Sequence, residues 1–297
     1  MSNITNTTSD TINTSDIGAE KASSTTIGNI HPVALITGAS SGIGAVYAER
    51  LAARGFDLIL VARDATRLQQ LAARLQASHG IHAEVLPADL GVAADVQRIG
   101  QRVHTDGTIS LLLNNAGVAA HGKLQDGDLQ QVDGLIQLNI VALTHLAAAA
   151  ASAFSSRGKG QLINIASVVA LAPEMFNAVY SASKAYVLSL TETLHKELAP
   201  TGVQVQAVLP GVTRTEIWQR IGMEVSNLPE SMIMDAGEMV DAALAGLDQG
   251  ELITIPSLPD AADWQAYISA RSKLGPNLSH SRAAARYLAG RTLQVAA

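Results

Sequence analysis

The chain has 297 residues, a formal net charge of −6 and no cysteine; 47% of its residues are hydrophobic and 15% are charged. This composition is typical of a globular protein with an aliphatic core, and the scattered basic residues argue against nucleic acid as a partner. Without cysteine the chain has no disulfide, thiolate nucleophile or cysteine-ligated metal, which is compatible with a reducing cytoplasm.

The two ends of the chain differ from its centre. Residues 1–30 are rich in Ser, Thr and Asn and poor in large apolar residues, so we predict a flexible arm that buries too little surface to become ordered. The arm lacks the basic start and continuous apolar segment of a secretory signal. We expect one α/β domain over residues 31–256 and a helical extension over residues 257–297.

Short aliphatic runs alternate with longer amphipathic segments along this domain. Parallel strands need crossover connections, so the alternation indicates a doubly wound, Rossmann-type parallel sheet of about seven strands with helices on both faces. Ligands bind such sheets beyond the carboxyl ends of the strands. The predicted strands are residues 33–37, 57–62, 82–87, 109–114, 161–167, 203–209 and 252–255.

The most apolar stretch is residues 140–154. It contains Thr144 and His145 and is too short to cross a bilayer, so we interpret it as a packed helix and expect no membrane association. The histidines show no metal-ligand spacing, and His79 and His82 straddle a helix-to-strand turn. No metal site is therefore predicted.

A glycine-rich turn joins the first strand to the first helix. Glycines permit a tight turn and let backbone N–H groups approach a pyrophosphate at the positive end of the helix. Gly44 would let helix and strand pack closely. The alternative interpretation is an ordinary glycine-rich connection. The candidate phosphate-binding residues are Gly38, Ser40, Ser41, Gly42, Ile43 and Gly44.

Further motifs stand at later strand ends. The fourth strand ends in N-N-A-G at residues 114–117, the fifth ends at Ser167, and P-G-V-T-R-T at residues 210–215 follows the sixth. Tyr180 and Lys184 lie four residues apart, which places them side by side on one face of a helix. That spacing also fits any exposed amphipathic helix. Ser167, thirteen residues before Tyr180, is what favours a site.

In this order and spacing, the T-G-x-x-x-G-x-G turn and the later motifs resemble the short-chain dehydrogenase/reductase family over residues 33–255. The resemblance implies an oxidoreductase that transfers a hydride between a nicotinamide dinucleotide and a small carbonyl or alcohol substrate. Carbonyl reduction needs a proton donor for the developing alkoxide, and Tyr180 would serve. The Lys184 ammonium would lower the pKa of that phenol and hold the nicotinamide ribose, while Ser167 would orient the substrate oxygen.

Asn139 is the fourth candidate catalytic residue. An amide inside an otherwise apolar helix is costly unless it is paired, so a purely structural network is one interpretation. The resemblance implies another, in which the asparagine bends its helix and holds a water that links to the catalytic lysine.

The resemblance also implies the remaining cofactor contacts. Asp89 would meet the adenine amino group, although a helix cap explains it equally well. The segment after the sixth strand would border the nicotinamide, with its aliphatic residue one position earlier than is usual in the family. The further candidate contacts are Leu90, Asn115, Ala116, Gly117, Pro210, Gly211, Val212 and Thr215.

The end of the second strand distinguishes the two nicotinamide dinucleotides. A carboxylate there binds the ribose 2′-hydroxyl of NAD, whereas an arginine pairs with the 2′-phosphate of NADP. Arg63 occupies this place, so we predict NADP(H). Asp64 would be the NAD-type acid if the alignment shifted, but we interpret it as the cap of the next helix.

Residues 216–234 correspond to the mobile substrate lid of similar enzymes. Met175 and Phe176 would form the opposite wall of an apolar pocket. A packed core would explain the lid residues equally well. Its large apolar residues are Ile217, Trp218, Ile221, Met223, Leu228, Met232 and Ile233.

The resemblance further implies a homodimer or homotetramer, and the small residues at 147–151 would let helices approach closely. Two other functions share this fold. A non-catalytic NADP-binding sensor usually lacks the tyrosine or the lysine, and both are present here. An epimerase or dehydratase of the extended branch would begin with a G-x-x-G-x-x-G turn and carry a larger substrate domain.

Overall fold

A twisted parallel sheet forms the centre of the computed structural model, which describes residues 31–287. Within these residues the sheet has seven strands in the order β3-β2-β1-β4-β5-β6-β9, and a separate two-stranded sheet pairs β7 with β8. The predicted doubly wound architecture is confirmed. The strands are β1 (Val33–Thr37), β2 (Asp57–Ala62), β3 (Ala83–Pro87), β4 (Ile109–Asn114), β5 (Gly160–Ile165), β6 (Val203–Val208), β7 (Val212–Thr213), β8 (Ile233–Met234) and β9 (Ile253–Thr254).

Helices connect the strands and cover both faces of the sheet. A π-helical segment, Gln137–Ala142, joins α4 to α5 without a break. The helices are α1 (Gly42–Ala53), α2 (Ala65–His79), α3 (Ala93–Thr105), α4 (Leu129–Ile136), α5 (Leu143–Arg157), α6 (Ala178–Leu198), α7 (Ile217–Arg220), α8 (Ala236–Asp248) and α9 (Ala261–Ser272).

Helices bury the sheet on both sides. Successive side chains of a strand point to opposite faces, so a strand such as β1 contributes to the core on both sides. In β1, Ala34 and Ile36 enter the core cluster on the side of α1, α2 and α8. Leu35 enters the cluster on the side of α3 and α5. The near-continuous aliphatic strands that the sequence shows are the expected consequence of this double burial.

The fifth strand is shorter than predicted. It ends at Ile165, and Ser167 lies two residues beyond, in extended backbone that begins a 3₁₀ turn at Val168–Ala170. The Val168 N–H donates to the Pro210 carbonyl at 3.1 Å, which ties this turn to the segment after β6. Ser167 therefore stands past the edge of the sheet, where the chain changes direction.

The apolar helix was predicted to be too short for a bilayer, and that length argument is wrong. Because the π-helical segment continues the helix, Leu129–Arg157 is 29 residues long and apolar enough, by length and composition, to cross a membrane. Core packing accounts for the apolar composition of this helix, since Leu146, Ala150 and Phe154 of α5 are buried in the core.

The predicted terminal segments are described in part. The arm predicted for residues 1–30 lies outside the described residues. The extension predicted from residue 257 is described to residue 287 and contains α9, which is joined to α6 by a paired contact between Arg271 and Glu192 at 2.8 and 3.0 Å.

Candidate active site

The predicted phosphate turn bends sharply after β1. Gly38 has φ of 66°, a conformation that favours glycine. At Gly44, an added Cβ would lie 2.3 Å from the Gly38 carbonyl oxygen and 2.5 Å from Asn115 Nδ2, so a larger residue would push the helix away from the turn. The glycines thus hold the start of α1 close to the end of β1, as the sequence predicted for Gly44.

The N-terminus of α1 also has the character expected of an anion site. The helices α2, α6, α8 and α9 begin with an Asp or Asn side chain that accepts from their first-turn N–H groups. Ser41, which precedes α1, makes no such cap. Because the first N–H groups of a helix need an acceptor, the uncapped turn fits the pyrophosphate of a dinucleotide.

Thr37 fixes the turn to the N-N-A-G element. Its hydroxyl donates to the Leu113 carbonyl at 3.1 Å and accepts from the backbone N–H groups of Asn115 and Ala116 at 2.9 and 3.0 Å. The Asn115 amide donates back to the Thr37 carbonyl at 2.8 Å. Sequence reasoning left Thr37 out of the site, although a threonine at the last position of a buried strand was the available signal.

The end of β2 presents Arg63 to solvent. Asp64 caps α2, because its carboxylate accepts from the Arg67 backbone N–H at 3.0 Å. The cap interpretation of Asp64 is therefore confirmed. Arg63 makes no ion pair with any residue in the described part of the chain.

Asp89 and Leu90 follow β3. The Asp89 carboxylate accepts from the Gly91 N–H at 2.9 Å, while its own N–H donates to Asp95 at 2.7 Å. It shapes the turn and does not cap α3, whose N-cap is Val92. Leu90 is buried in the core, so contact with a cofactor would involve its backbone.

Asn139 lies in the π-helical segment and pairs fully with its surroundings. Its amide donates to the Val118 carbonyl at 2.9 Å and to Ser183 at 3.2 Å, and its oxygen accepts from the Val118 N–H at 2.9 Å. An added Cβ on Gly117 would lie 3.2 Å from that oxygen. Asn139 therefore holds the segment that follows N-N-A-G against α6, and Ser183 is a partner that the sequence did not reveal.

Ser167, Tyr180 and Lys184 meet beyond the ends of β5 and β6. The Ser167 hydroxyl donates to the Pro210 carbonyl at 3.3 Å. Lys184 is buried, and its Nζ donates to the Ile165 carbonyl at 2.9 Å and lies 5.6 Å from the centre of the Tyr180 ring. The tyrosine and the lysine share one side of α6, as their spacing predicted.

The start of α6 is fixed by Asn177. Its side-chain oxygen accepts from the N–H groups of Val179 and Tyr180 at 3.0 and 3.1 Å, and its amide donates to the Gly122 carbonyl at 2.7 Å. This contact sets where Tyr180 enters the site. Asn177 was not predicted, although a cap residue immediately before a helix was a readable signal.

Burial dominates the electrostatics of the pair. It raises the pKa of Tyr180 to about 12, and hydrogen bonding with the Ser167 hydroxyl opposes the rise. Burial lowers the pKa of Lys184 to about 8. The structure thus gives a raised pKa for Tyr180 where the sequence predicted a lowered one, because desolvation disfavours the phenolate.

The segment after β6 crosses in front of the site. Val212 and Thr213 form β7, which pairs with β8. Thr215, two residues after this strand, approaches the phosphate turn: a Cβ on Gly42 would lie 3.3 Å from its side chain. The Trp218 ring donates to the Thr213 carbonyl at 2.8 Å, which places the indole at the start of the predicted lid.

Aromatic side chains line the approach to Tyr180. Phe176 packs edge-to-face against Tyr180 at 5.4 Å and against Trp218 at 6.2 Å. None of the large apolar lid residues from Ile217 to Ile233 is fully buried, and Met232 is 51% exposed, so the packed-core interpretation is not supported.

A cleft of about 900 Å³ opens beside Phe176. Its wall includes Met175, Phe176 and Met223, which the sequence predicted for a pocket. The exposed side chains of Lys123 and Glu174 also line it, so its lining is partly polar. The loop that carries Lys123 was not predicted as part of the substrate side.

Comparison with known proteins agrees with this architecture. The family model for short chain dehydrogenase matches residues 32–225. An uncharacterized oxidoreductase of Staphylococcus epidermidis is 33% identical over 224 residues, which are 75% of this chain and 94% of that protein.

Two solved structures are more similar. A short-chain dehydrogenase from Sphingobium yanoikuyae in complex with NADPH is 51% identical, with a TM-score of 0.84 over 86% of this chain and 99% of the other. A bulky-bulky ketone specific alcohol dehydrogenase from Comamonas testosteroni is 46% identical, with a TM-score of 0.80 over 86% of this chain and 98% of the other. The chain belongs to the classical short-chain dehydrogenase/reductase family of oxidoreductases.

Proposed function

We propose that this protein is an NADP(H)-dependent carbonyl reductase that also runs in reverse as an alcohol dehydrogenase. The observation that carries the proposal is the meeting of Ser167, Tyr180 and Lys184 beyond the ends of β5 and β6. When bound, the nicotinamide supplies or accepts the hydride. Arg63, exposed at the end of β2, would bind the 2′-phosphate, and the NADPH complex of the Sphingobium protein supports this assignment.

The side chains supply the proton and the orientation. The Tyr180 phenol donates its proton to the substrate oxygen as that oxygen gains negative charge during reduction. Lys184, while protonated, stabilises the phenolate that forms, and Ser167 donates a hydrogen bond to the same substrate oxygen. Asn139 holds the adjoining backbone in place and positions the helix that carries the pair.

The remaining cofactor contacts are part of the same proposal. Asp89 and the backbone at Leu90 would meet the adenine, and residues 115–117 would line the adenosine. Residues 210–212 and Thr215 would border the nicotinamide. The closeness of Thr215 to Gly42 supports this placement, because it brings the nicotinamide segment against the phosphate turn.

Tyr180→Phe tests the catalytic assignment. Removal of the proton donor should lower kcat for ketone reduction by about 10²- to 10⁴-fold and leave NADPH binding intact. Steady-state kinetics and NADPH fluorescence titration measure the two quantities. Tyr186→Phe is the matched control, because Tyr186 lies on the same helix and bonds only Thr144, at 2.9 Å, among the described side chains.

The outcomes distinguish the alternatives. Substantial turnover by Tyr180→Phe contradicts the role of that residue. Tight NADPH binding by the unmodified protein, without reduction of any tested carbonyl, supports the non-catalytic sensor instead.

For the substrate we propose a bulky, amphipathic ketone. Phe176, against which Trp218 packs, would contact the apolar part of the substrate. The polar side chains of Lys123 and Glu174 would face the rest. The Comamonas enzyme supports bulk on both sides of the carbonyl. A panel of diaryl, steroid-like and long-chain ketones should be reduced about 10- to 100-fold more efficiently than acetone or sugars. Preference for polar sugars would contradict the pocket.

We also propose a homodimer or homotetramer formed through α5 and α6. The small residues at 147–151 do not all serve such contacts, because Ala147 and Ala150 are buried in the core of their own subunit. Light scattering of the purified protein should show at least a dimer, and a monomer at micromolar concentration would contradict this.

A further inference from the structure

Glu216 connects the substrate-side segment to the cofactor side. Its two carboxylate oxygens accept from Arg67 Nη1 at 3.0 and 2.9 Å. Arg67 lies in the first turn of α2, four residues after Arg63 at the end of β2. Glu216 itself immediately follows Thr215, whose side chain lies close to Gly42 of the phosphate turn. The Glu216 carboxylate thus links the segment after β6 to α2.

A second arginine holds the same carboxylate. Arg220 donates to Glu216 at 2.9 Å and to the Ser41 hydroxyl at 3.0 Å. These hydrogen bonds, that from Arg67 first, lower the pKa of Glu216, so it remains an anion at neutral pH. Two guanidinium groups therefore hold one carboxylate, and one of them also contacts the hydroxyl of the phosphate turn.

Guanidinium groups bind carboxylate and phosphate with the same donors. A phosphate monoester carries about −1.5 to −2 charges at neutral pH and would repel a carboxylate placed among its ligands. Arg67 cannot give its Nη1 donors fully to both.

We propose that Arg67 binds the 2′-phosphate of NADP together with Arg63, and that the Glu216 carboxylate competes with this phosphate, so that Glu216 tunes the choice between NADP and NAD. The inference rests on the proposed function. It also links the cofactor's phosphate to the lid, because Glu216 precedes α7 and Trp218 in the same segment.

The size of the effect follows from exposure. The side chains of Arg67 and Glu216 are 48% and 45% exposed, so solvent screens the competition. Exposed ion pairs of this kind change an equilibrium by about two- to fivefold. A charge-assisted hydrogen bond from an arginine to a phosphate contributes more, about tenfold.

The probes are adenosine 2′,5′-bisphosphate, which carries the 2′-phosphate, and 5′-AMP, which lacks it. Calorimetric titration of the full chain with each nucleotide needs no substrate and no turnover. Glu216→Gln should tighten the bisphosphate by about two- to fivefold, and Arg67→Met should weaken it by about tenfold. Neither variant should change the affinity for 5′-AMP.

A double variant and a control complete the test. In the Arg67→Met background, Glu216→Gln should lose most of its effect on the bisphosphate affinity. The guanidinium for which the carboxylate and the 2′-phosphate compete is absent from that variant. Glu230→Gln is the matched control: Glu230 is an exposed glutamate of the same segment paired with Arg214, and it should alter neither affinity.

Each result assigns the failure to one proposal. If Glu216→Gln leaves the bisphosphate affinity unchanged, weakens it, or tightens both nucleotides equally, the competition is overturned. If the affinity depends on Arg63 but not on Arg67, this inference fails while NADP dependence stands. If Arg63→Met also leaves the bisphosphate affinity equal to that of the unmodified protein, the NADP assignment itself fails.

Discussion

The cofactor side and the substrate side of this molecule are built differently. Around the phosphate turn, backbone groups and short buried side chains fix one another, as when Thr37 bonds the backbone of Asn115 and Ala116. On the substrate side, the segment from Glu216 to Met234 is held by exposed ion pairs and half-buried apolar residues. The cofactor side tolerates few substitutions because its groups are closely packed and hydrogen-bonded to one another. The residues of the substrate side can differ with the substrate.

Gly44→Ala should give the largest effect on the cofactor side. The new Cβ would clash with the Gly38 carbonyl and the Asn115 amide at 2.3 and 2.5 Å. We expect the free energy of unfolding to fall by about 1–3 kcal/mol, with loss of NADPH affinity. Urea unfolding and NADPH titration measure both.

Gly134→Ala is the control for that variant. It replaces a helical glycine of α4 whose Cβ would meet open space. It should raise the free energy of unfolding by about 0.5–1 kcal/mol. Equal stability of the two alanine variants would show that the turn is not sterically fixed and would remove the contrast between the regions.

The pH dependence of ketone reduction tests Tyr180 and Lys184, the proposed catalytic pair. Since burial raises the pKa of Tyr180 to about 12, the phenol remains protonated through the neutral and mildly alkaline range. Burial lowers the pKa of Lys184 to about 8, so above that pH the ammonium is lost and the phenolate is no longer stabilised. We expect kcat/KM for ketone reduction to be level below pH 8 and to fall above it.

Lys184→Arg separates this cause from general alkaline inactivation. A guanidinium keeps its charge, so the variant should be slower but should show no decline near pH 8. Rate profiles from pH 6 to about 10 suffice. A decline at the same pH in both proteins would assign it to another group.

Phe176→Leu should give the smallest effect and only on the substrate side. It keeps most of the apolar volume but removes the edge-to-face contacts with Tyr180 and Trp218. We expect KM for bulky ketones to rise about two- to tenfold with NADPH affinity unchanged. Leu129→Met, at a position of α4 that is 69% exposed and outside the lining of the cleft, should change neither. A loss of NADPH affinity in Phe176→Leu would show that the two regions are not independent.

Sequence patterns gave most of the fold and much of the candidate site. Three strands were predicted with the bounds that the structure shows, because a strand buried on both faces leaves an uninterrupted aliphatic run. Strand β5 was predicted too long because Ala166 and Ser167 look like a continuation of the run. The turn that follows them is held by a hydrogen bond from the Val168 N–H to Pro210, which is far along the chain.

The parts that were not predictable are contacts between distant residues. Asn139 pairs with Val118 and Ser183, and Arg67 pairs with Glu216 across 149 positions, and no local pattern reveals either pair. The direction of the Tyr180 pKa was also wrong, since neighbours in sequence show the adjacent ammonium but not the depth of burial.

The sequence by itself determined the order of elements, the glycine turn and the side-by-side placement of Tyr180 and Lys184. These depend on local sterics and on the periodicity of helix and strand, which act over a few residues. Only the tertiary structure decided how deeply Tyr180 and Lys184 are buried, that the distant Arg67 pairs with Glu216, and how the lid meets the turn. Those are set by packing and charge between segments that the chain brings together only when it folds.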